Sequence, residues 1–493
     1  MRKILLEITV FICGTVVMIF EIVGSRILGP YIGTSIFVWT SLIGIILGSL
    51  SLGYWLGGII ADRKPNYIQL AWIILLAAFF IGISISGKDF LLSLMARNFT
   101  GIRIQAIIST LVLFAPASVM LGMVTPYAVR LKIENIQAAG KTVGNLYAIS
   151  TIGSIIGTFL AGFVLIPFFG STNILYFIAG LLSLTAILVF LKHKSKSSSA
   201  IVLLFLLFLG FYSYQFNTRI LKYRDVDTQY NRVLIYPSTD WYTGKDIMLM
   251  RINNEYSSAM FLDNDSLVFP YTRYYQLPEH FKPDFNKVLM LGGAGYSYPK
   301  FFLKKYPDAY IDVVEIDPML TALAREEFKL KPDPRLQIFH EDARVFLNRQ
   351  QGKYDAILGD AFKSLYTIPF QLTSLEAITK MYNMLVDDGL VVQNLNSAIT
   401  GPDSYFLQVL FNTYQKVFPR VYLLQVNTDR ESTSIQSVML VALKSKNKHE
   451  FESKDPELNE YLSHRITRDI PDDLPVLTDN YAPVEHYVGS TLW

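Results

Sequence analysis

The sequence predicts two unlike parts: an α-helical, multi-pass bundle in a membrane at the amino end and an open α/β domain at the carboxyl end, with a small β-rich subdomain between them. Three observations predict this. Apolar runs long enough to cross a bilayer, which takes on the order of 20 residues per helix, recur up to about residue 216 and then stop. From about Asn217 the chain turns polar and short segments alternate apolar and polar residues. From Lys287 to Asp360, β-forming runs end in turn in a glycine cluster, Glu315, Asp342 and Asp360. The expected domains are 1–216, 217–280 and 281–493.

At 493 residues the chain is too long for one compact core, and 51% hydrophobic against 17% charged residues is weighted toward apolar ones. The net charge of +3 hides an asymmetry. Roughly nine more basic than acidic residues precede position 217, and roughly six more acidic than basic follow it. An acidic soluble half is a poor partner for nucleic acid and attracts polycations, or serves solubility alone. Cys13 is the single cysteine, so neither a disulfide framework nor a cysteine-based metal site can form, and no metal is expected.

In the first half, candidate spans run over 4–27, 36–60, 67–86, 104–129, 143–168, 172–191 and 200–216, about seven helices. The apolar run of MRKILLEITVFICG continues past Ile19 without a small-residue cleavage site, which marks a retained helix rather than a leader. Gly44 and Gly48, Gly53 and Gly57, and Gly153, Gly157 and Ala161 repeat small residues every four positions, a pattern that lets helix backbones approach closely. Glu21, deep in the first span, and Arg26 near its end are expensive in a bilayer, about 2.5–3.5 kcal/mol each on an insertion scale. Either they pair with each other or with Tyr and Trp donors and lock the bundle, or they mark a cation or amine site within it. Pro126, Tyr127 and Arg130 read as a helix-end kink or as part of that site.

In the second half, segments near 231–236, 247–252 and 258–262 read as a small antiparallel sheet. An aromatic cluster follows, Phe269, Tyr271, Tyr274 and Tyr275, suited to a core or to the wall of a crevice. Then KVLMLGGAG gives strand and glycine turn, and about twenty residues later comes Glu315 at the end of the next strand. That is the Rossmann-type arrangement, in which a carboxylate accepts both hydroxyls of a ribose. Asp342 can accept from an adenine amino group, since an ionised carboxylate only accepts. No phosphate cradle with a lysine is present, which favours a nucleoside without phosphates. Asp360 closes the fourth strand, as a catalytic group or as the cap of a following helix.

The order TQYNRV, FLDND, a tyrosine pair, VLMLGGAG, VVEIDP, DPRLQIFHEDAR, YDAILGDAF and MLVDDGLVVQN resembles the spermidine synthases and related polyamine aminopropyltransferases, above all a branch in which a multi-helix membrane domain precedes the synthase-like domain. The likeness covers 225–445, reaches LTDNYAPVEHY, and includes EIVGSRILGPYIGTS in the first half. It implies a Rossmann-like, class I methyltransferase-like fold and a transferase of polyamine biosynthesis that moves an aminopropyl group from decarboxylated S-adenosylmethionine to a small amine and releases methylthioadenosine. It also implies site residues: Gly292, Gly293 and Gly295 against the thioether region, Glu315 on the ribose, Asp342 with Ala343 on the adenine, and Asp360 as the catalytic carboxylate. Tyr230 and Asn231 match a Tyr-Gln pair, with Asn for Gln; Asn231 is assigned to the co-substrate and Tyr230, Tyr271 and Tyr275 to the amine. Family members often pair through the β-rich region, so a homodimer is implied.

The chain departs from that pattern where family members place acids: Gly295 and Tyr296 stand in the glycine loop, Lys363 three residues after Asp360, and Thr272 and Arg273 after Tyr271. Two carboxylates that hold a cationic amine are thereby missing. Two other readings follow: a methyltransferase using intact S-adenosylmethionine, and a polyamine transporter or sensor whose synthase-like domain does not turn over. A third expectation is an amphiphilic or lipid-borne amine as acceptor. Basic loops place the amino terminus in the cytoplasm of a cell-membrane protein. Seven spans would put the soluble half outside, away from a cytosolic nucleoside; the cytoplasmic side is the reading adopted, with one span miscounted around DFLLSLMARNF.

Overall fold

In a computed structural model of the protein, residues 2–191, 210 and 224–488 are described, except 34, 64, 100, 134, 254, 350, 351 and 362–368. The seventh expected span, apart from Gly210, and Lys363 lie outside the described residues. The chain forms two compact units, Met1–Lys222 with Val226–Asn231, and Tyr223–Asp225 with Arg232–Trp493.

The first unit is helical: α1 (Arg2–Ile32), α2 (Ile36–Arg63), α3 (Tyr67–Asn98), α4 (Ile102–Leu113), α5 (Ala115–Lys132), α6 (Ala139–Leu160) and α7 (Ser171–Leu191). Five of its helices are long and apolar enough to cross a membrane, and α4 with α5 would make a sixth. That pair, expected as one span, is bent by 50°. Pro116 explains the break, because its ring and missing N–H end the helix before it while suiting the first turn of the next. DFLLSLMARNF proves to be the last part of α3 rather than a separate span. α6 runs on through a π-turn, Ala161–Leu165, into Ile166–Phe168.

Small residues seat these helices against one another. A Cβ on Gly53 would lie 2.3 Å from the Val119 carbonyl of α5, and one on Gly157 would lie 2.4 Å from that of Thr15 in α1. Gly44 and Gly48, expected at such contacts, have nothing within 4 Å. Arg26 does not turn to Glu21. It donates to the carbonyls of Tyr230 and, at 2.7 Å, Thr228. Five positions along a helix rotate a side chain by about 140°, so the two residues face different ways. Glu21 is half-buried and, among the described residues, forms no hydrogen bond or ion pair. Tyr127 is wholly buried, its hydroxyl donating to Gln69 Oε1 at 2.6 Å, and Arg130 pairs with Asp62 at 3.1 Å.

The second unit begins with an antiparallel sheet of β1 (Arg224–Asp227), β2 (Arg232–Thr239), β3 (Asp246–Ile252) and β4 (Glu255–Phe261), in that order. The expected three strands are there, and β1 is an addition. A seven-stranded sheet follows: β5 (Lys287–Leu291), β6 (Tyr310–Val314), β7 (Leu336–Phe339), β8 (Tyr354–Gly359), β9 (Leu385–Ser397), β10 (Arg420–Gln425) and β11 (Gln436–Leu443), ordered β10-β11-β9-β8-β5-β6-β7. β7, β6, β5, β8 and β9 are parallel neighbours, while β11 runs antiparallel to β9 and β10. This is a Rossmann-like sheet with a mixed edge.

Helices α8 (Ser297–Lys305), α9 (Pro318–Glu327), α10 (Ala343–Arg349), α11 (Leu375–Met384) and α12 (Tyr405–Gln415) connect or follow the strands. The strands read as continuous apolar runs because helices cover both faces of such a sheet; Leu289, Ile357, Val391, Phe406, Leu410 and Leu440 lie in one buried cluster. Helix starts are written in the sequence. Asp317 accepts from the N–H of Met319 ahead of Pro318, and Ser374 accepts from that of Ala377. From β5 the chain winds one way to β6 and β7, then returns to β8 on the other side, so a crevice opens between the carboxyl ends of β5 and β8.

Candidate active site

Parallel register sets Leu291 opposite Gly359, so Gly292 and Asp360 leave neighbouring strands side by side. Gly292 has a left-handed φ of 96°, its N–H donates to the Val314 carbonyl at 2.9 Å, and a Cβ there would stand 2.6 Å from the Asp360 carbonyl oxygen. Only glycine meets both demands. Gly293 passes over the Tyr296 ring, which a Cβ would approach to 2.7 Å, and the N–H of Gly295 donates to Ser258 Oγ at 2.9 Å. Ala294 and Tyr296 themselves take positive φ, 43° and 55°, held by the tight Tyr296 N–H to Gly293 carbonyl bond of 2.7 Å. The Tyr296 hydroxyl meets Thr321 Oγ1 at 2.7 Å.

Glu315 ends β6 beneath this loop and is 6% exposed. Its Oε2 accepts from the N–H groups of Gly293 at 2.9 Å and Ala294 at 3.0 Å, and its Oε1 from that of Asp317 at 2.9 Å. Burial raises its carboxyl above the usual range and the three N–H donors oppose that. A carboxylate offers about four acceptor positions, so about one stays open to a hydroxyl from a bound nucleoside. The glycine loop is thus shaped by the Glu315 side chain.

Asp360 is half-buried at the other wall. Tyr271 donates its hydroxyl to Oδ2 at 3.2 Å and Asn394 its amide to Oδ1 at 3.3 Å. Burial pushes the Asp360 carboxyl up to about 7 from an ordinary 3.8, against the lowering effect of donors from Asn394, Tyr271 and Tyr275. Burial also raises Tyr271 well above its usual range, so it stays a phenol and a donor. Tyr275 is fully buried and donates to the Gly359 carbonyl at 2.9 Å, with its ring edge-on to that of Tyr271 at 6.2 Å. Ser258, Ala259, Phe269, Tyr271, Gly293 and Asp360 line one crevice.

Of the residues singled out from sequence, Gly292, Gly293, Gly295, Glu315, Tyr271, Tyr275 and Asp360 come together here. Asp342 and Ala343 stand after β7, and Asp342 Oδ1 caps α10 by accepting from the N–H of Arg344 at 2.7 Å and of Val345 at 3.2 Å. The capping role weighed for Asp360 is thus filled at Asp342; whatever follows Asp360 over 362–368 lies outside the described residues. Tyr230 and Asn231 belong to the helical unit, where their N–H groups donate to Thr228 Oγ1 at 3.1 and 2.8 Å. Asn394 and Ser258 were not foreseen. Asn394 ends the VVQN run of β9, and nothing in that run by itself marks it as a partner of Asp360.

The chain is similar to proteins of known class. Residues 270–454 match the spermine/spermidine synthase domain family. A polyamine aminopropyltransferase of Vibrio vulnificus is 30% identical over 176 residues, 35% of this chain and 57% of that protein. A probable polyamine aminopropyl transferase of Bifidobacterium longum is 32% identical over 219 residues, 41% of this chain and 48% of that protein. Polyamine aminopropyltransferase 2 of Aquifex aeolicus is 24% identical over 402 residues, 78% of each chain. The chain therefore spans about half the length of the first two relatives, by the 57% and 48% above. A crystal structure of a probable spermidine synthase from Corynebacterium glutamicum aligns at 22% identity and a TM-score of 0.42 over 55% of this chain and 93% of that one. With the glycine loop, Glu315 and Asp360 gathered at the switch point of a mixed Rossmann-like sheet, the carboxyl-terminal part of this chain is a spermine/spermidine synthase domain.

Proposed function

We propose that the protein is a membrane-embedded transferase whose carboxyl-terminal domain moves an aminopropyl group from decarboxylated S-adenosylmethionine to an amine and releases methylthioadenosine. The observation that carries this reading is Asp360, a carboxyl pushed up to about 7 by burial, held by Tyr271 and Asn394 in a crevice beside the glycine loop. The family match and the aminopropyltransferase relatives support the group transferred.

The reaction asks for a neutral amine. Its nitrogen lone pair forms a bond to the methylene beside the sulfonium, the C–S bond breaks, and the electron pair stays on sulfur, leaving a neutral thioether. The proton from the attacking nitrogen passes to Asp360. An alkyl ammonium titrates near ~10 and an ordinary carboxyl near ~4, so transfer between them costs ~8 kcal/mol; a carboxyl near 7 cuts this to ~4 kcal/mol. Tyr271 and Asn394 fix both Asp360 oxygens, which aligns the acceptor as well as taking its proton. Glu315 and the N–H groups it holds present the nucleoside, and Asp342, with Oδ2 left open by its capping role, accepts from the adenine.

The five apolar helices and the bent pair serve as six membrane crossings. Six crossings among the described residues would return the chain at Leu191 to the side of its basic amino terminus, the cytoplasm. We place the transferase domain there, which requires that 200–216, the seventh expected span, does not cross. The test is product analysis by mass spectrometry after incubating purified protein in detergent with decarboxylated or intact S-adenosylmethionine and primary amines. Methylthioadenosine from the decarboxylated form is expected. S-adenosylhomocysteine from the intact form alone would replace this reading with methyl transfer.

A further inference from the structure

We infer that the acceptor carries one basic nitrogen on an apolar body, in place of a diamine; this rests on the transferase reading above. The crevice beside the glycine loop has one acidic side chain among the described residues that line it, Asp360. Asp360 is already committed to the attacking nitrogen. Residues 362–368, which follow it in the chain, contain one lysine and neither Asp nor Glu.

The rest of the lining is apolar or neutral. Ala259, Val268, Phe269 and Met290 form its apolar wall. Its hydroxyl groups are neutral and already oriented by the protein: Thr272 donates to the Phe269 carbonyl at 2.6 Å, Ser297 to that of Ala259 at 2.9 Å, and Tyr298 to that of Tyr275 at 2.6 Å, so they offer an ammonium lone pairs but no counter-charge. Ser258 Oγ is held by the Gly295 N–H at 2.9 Å. The aromatic faces are partly filled as well, since Phe269 and Tyr271 stack on each other at 6.2 Å and so offer fewer open faces to a cation.

A second ammonium in this space would lose its water and gain no counter-charge, which is costly for any buried ion. It would also stand near two like charges that the co-substrate brings, the sulfonium and the ammonium that ends its aminopropyl group, with Asp360 the one acid in the described lining to offset them all. An alkyl or aralkyl body has neither problem, and it meets a lining that Ala259, Val268, Phe269 and Met290 make apolar. The apolar wall and the solitary acid therefore select the same kind of acceptor.

The test compares hexylamine with 1,6-diaminohexane as acceptors for decarboxylated S-adenosylmethionine, using the full-length protein in detergent and methylthioadenosine release as the readout. The expected result is a kcat/KM at least tenfold higher for hexylamine. A diamine equal to or better than the monoamine overturns the inference while leaving the transferase reading intact. Release with neither amine strikes the transferase reading instead. In that case calorimetry of the two amines, in the presence of methylthioadenosine, decides the acceptor question: tighter binding of hexylamine supports it and tighter binding of the diamine overturns it. A second arm places a new carboxylate in the half-buried lining position Ser257 by Ser257→Asp. It is expected to shift the monoamine-to-diamine ratio at least fivefold toward the diamine, and an unchanged ratio in a variant of wild-type melting temperature overturns the charge argument.

Discussion

Replacing Asp360 by asparagine should make the protein more stable and less active, and the size of the first effect can be worked out. The Asp360 carboxyl titrates at about 7 in the fold and near 3.8 when unfolded. A raised pKa means that the fold disfavours the ionised form, by about 4 kcal/mol for a displacement of this size. The penalty is absent below pH ~4, grows as the pH rises, and is complete above pH ~7. Asp360→Asn is neutral throughout, so its stability should match wild type at low pH and exceed it by up to about 4 kcal/mol at pH 8. The new amide need not cost a hydrogen bond, because Asn394 Oδ1 is buried without a partner and can accept from it once the Asn394 amide turns. Denaturant unfolding followed by tryptophan fluorescence at pH 5, 6, 7 and 8 measures the gap. The same variant should lose about 10²–10⁴-fold in kcat, the usual worth of a positioned base, together with the rise in rate through pH ~7 expected of wild type. A stability gap that stays constant from pH 5 to pH 8, or a variant within tenfold of wild-type kcat, would refute this reasoning.

Three further expectations rest on other parts of the structure. Glu315→Gln turns an amide N–H toward backbone N–H donors on one side or the other, leaving a buried donor unpaired at about 1–3 kcal/mol; the melting temperature should fall and methylthioadenosine should bind at least tenfold more weakly by calorimetry, and unchanged affinity would show that Glu315 serves the loop alone. Gly292→Ala sets a Cβ against the Asp360 carbonyl at a φ that disfavours alanine, so it should cost about 1–3 kcal/mol or more and raise hydrogen exchange in the glycine loop; a wild-type melting curve would contradict that. Lys446→Cys puts an exposed thiol on the transferase domain while Cys13 stays buried, and a membrane-impermeant maleimide should label it only after cells are permeabilised. Labelling of intact cells would place the domain outside.

The site was legible from sequence where the backbone alone makes demands. A strand that must turn sharply beside its neighbour needs glycine at Gly292, and a buried loop of N–H groups needs an acceptor such as Glu315, so strand, glycines and acid recur at readable spacing. Side-chain partners joined by tertiary register left no such local trace. Asn394 reaches Asp360 only because β9 lies parallel to β8, and Tyr271 reaches it from a helical turn about ninety residues earlier; neither distance along the chain implies contact. Asp342 and Asp360 looked alike as acids after strands, yet the first caps a helix and the second sits in a crevice. What divides them is the set of partners each meets, backbone N–H groups for Asp342 and the Tyr271 and Asn394 side chains for Asp360, which a one-residue reading does not supply. In the helical unit, apolar length showed where helices run, while the 50° break at Pro116 and the turning of Arg26 away from Glu21 depended on helix-end chemistry and angular spacing. The same division holds for chemistry. On the proposed transferase reading, the nucleoside side of the crevice is built from backbone demands, the left-handed turn at Gly292 and the N–H groups that Glu315 holds. The acceptor side would be built from side chains that converge through the fold, such as Tyr271 and Asn394 on Asp360, so a change of acceptor needs no change in the backbone cradle proposed to hold the donor.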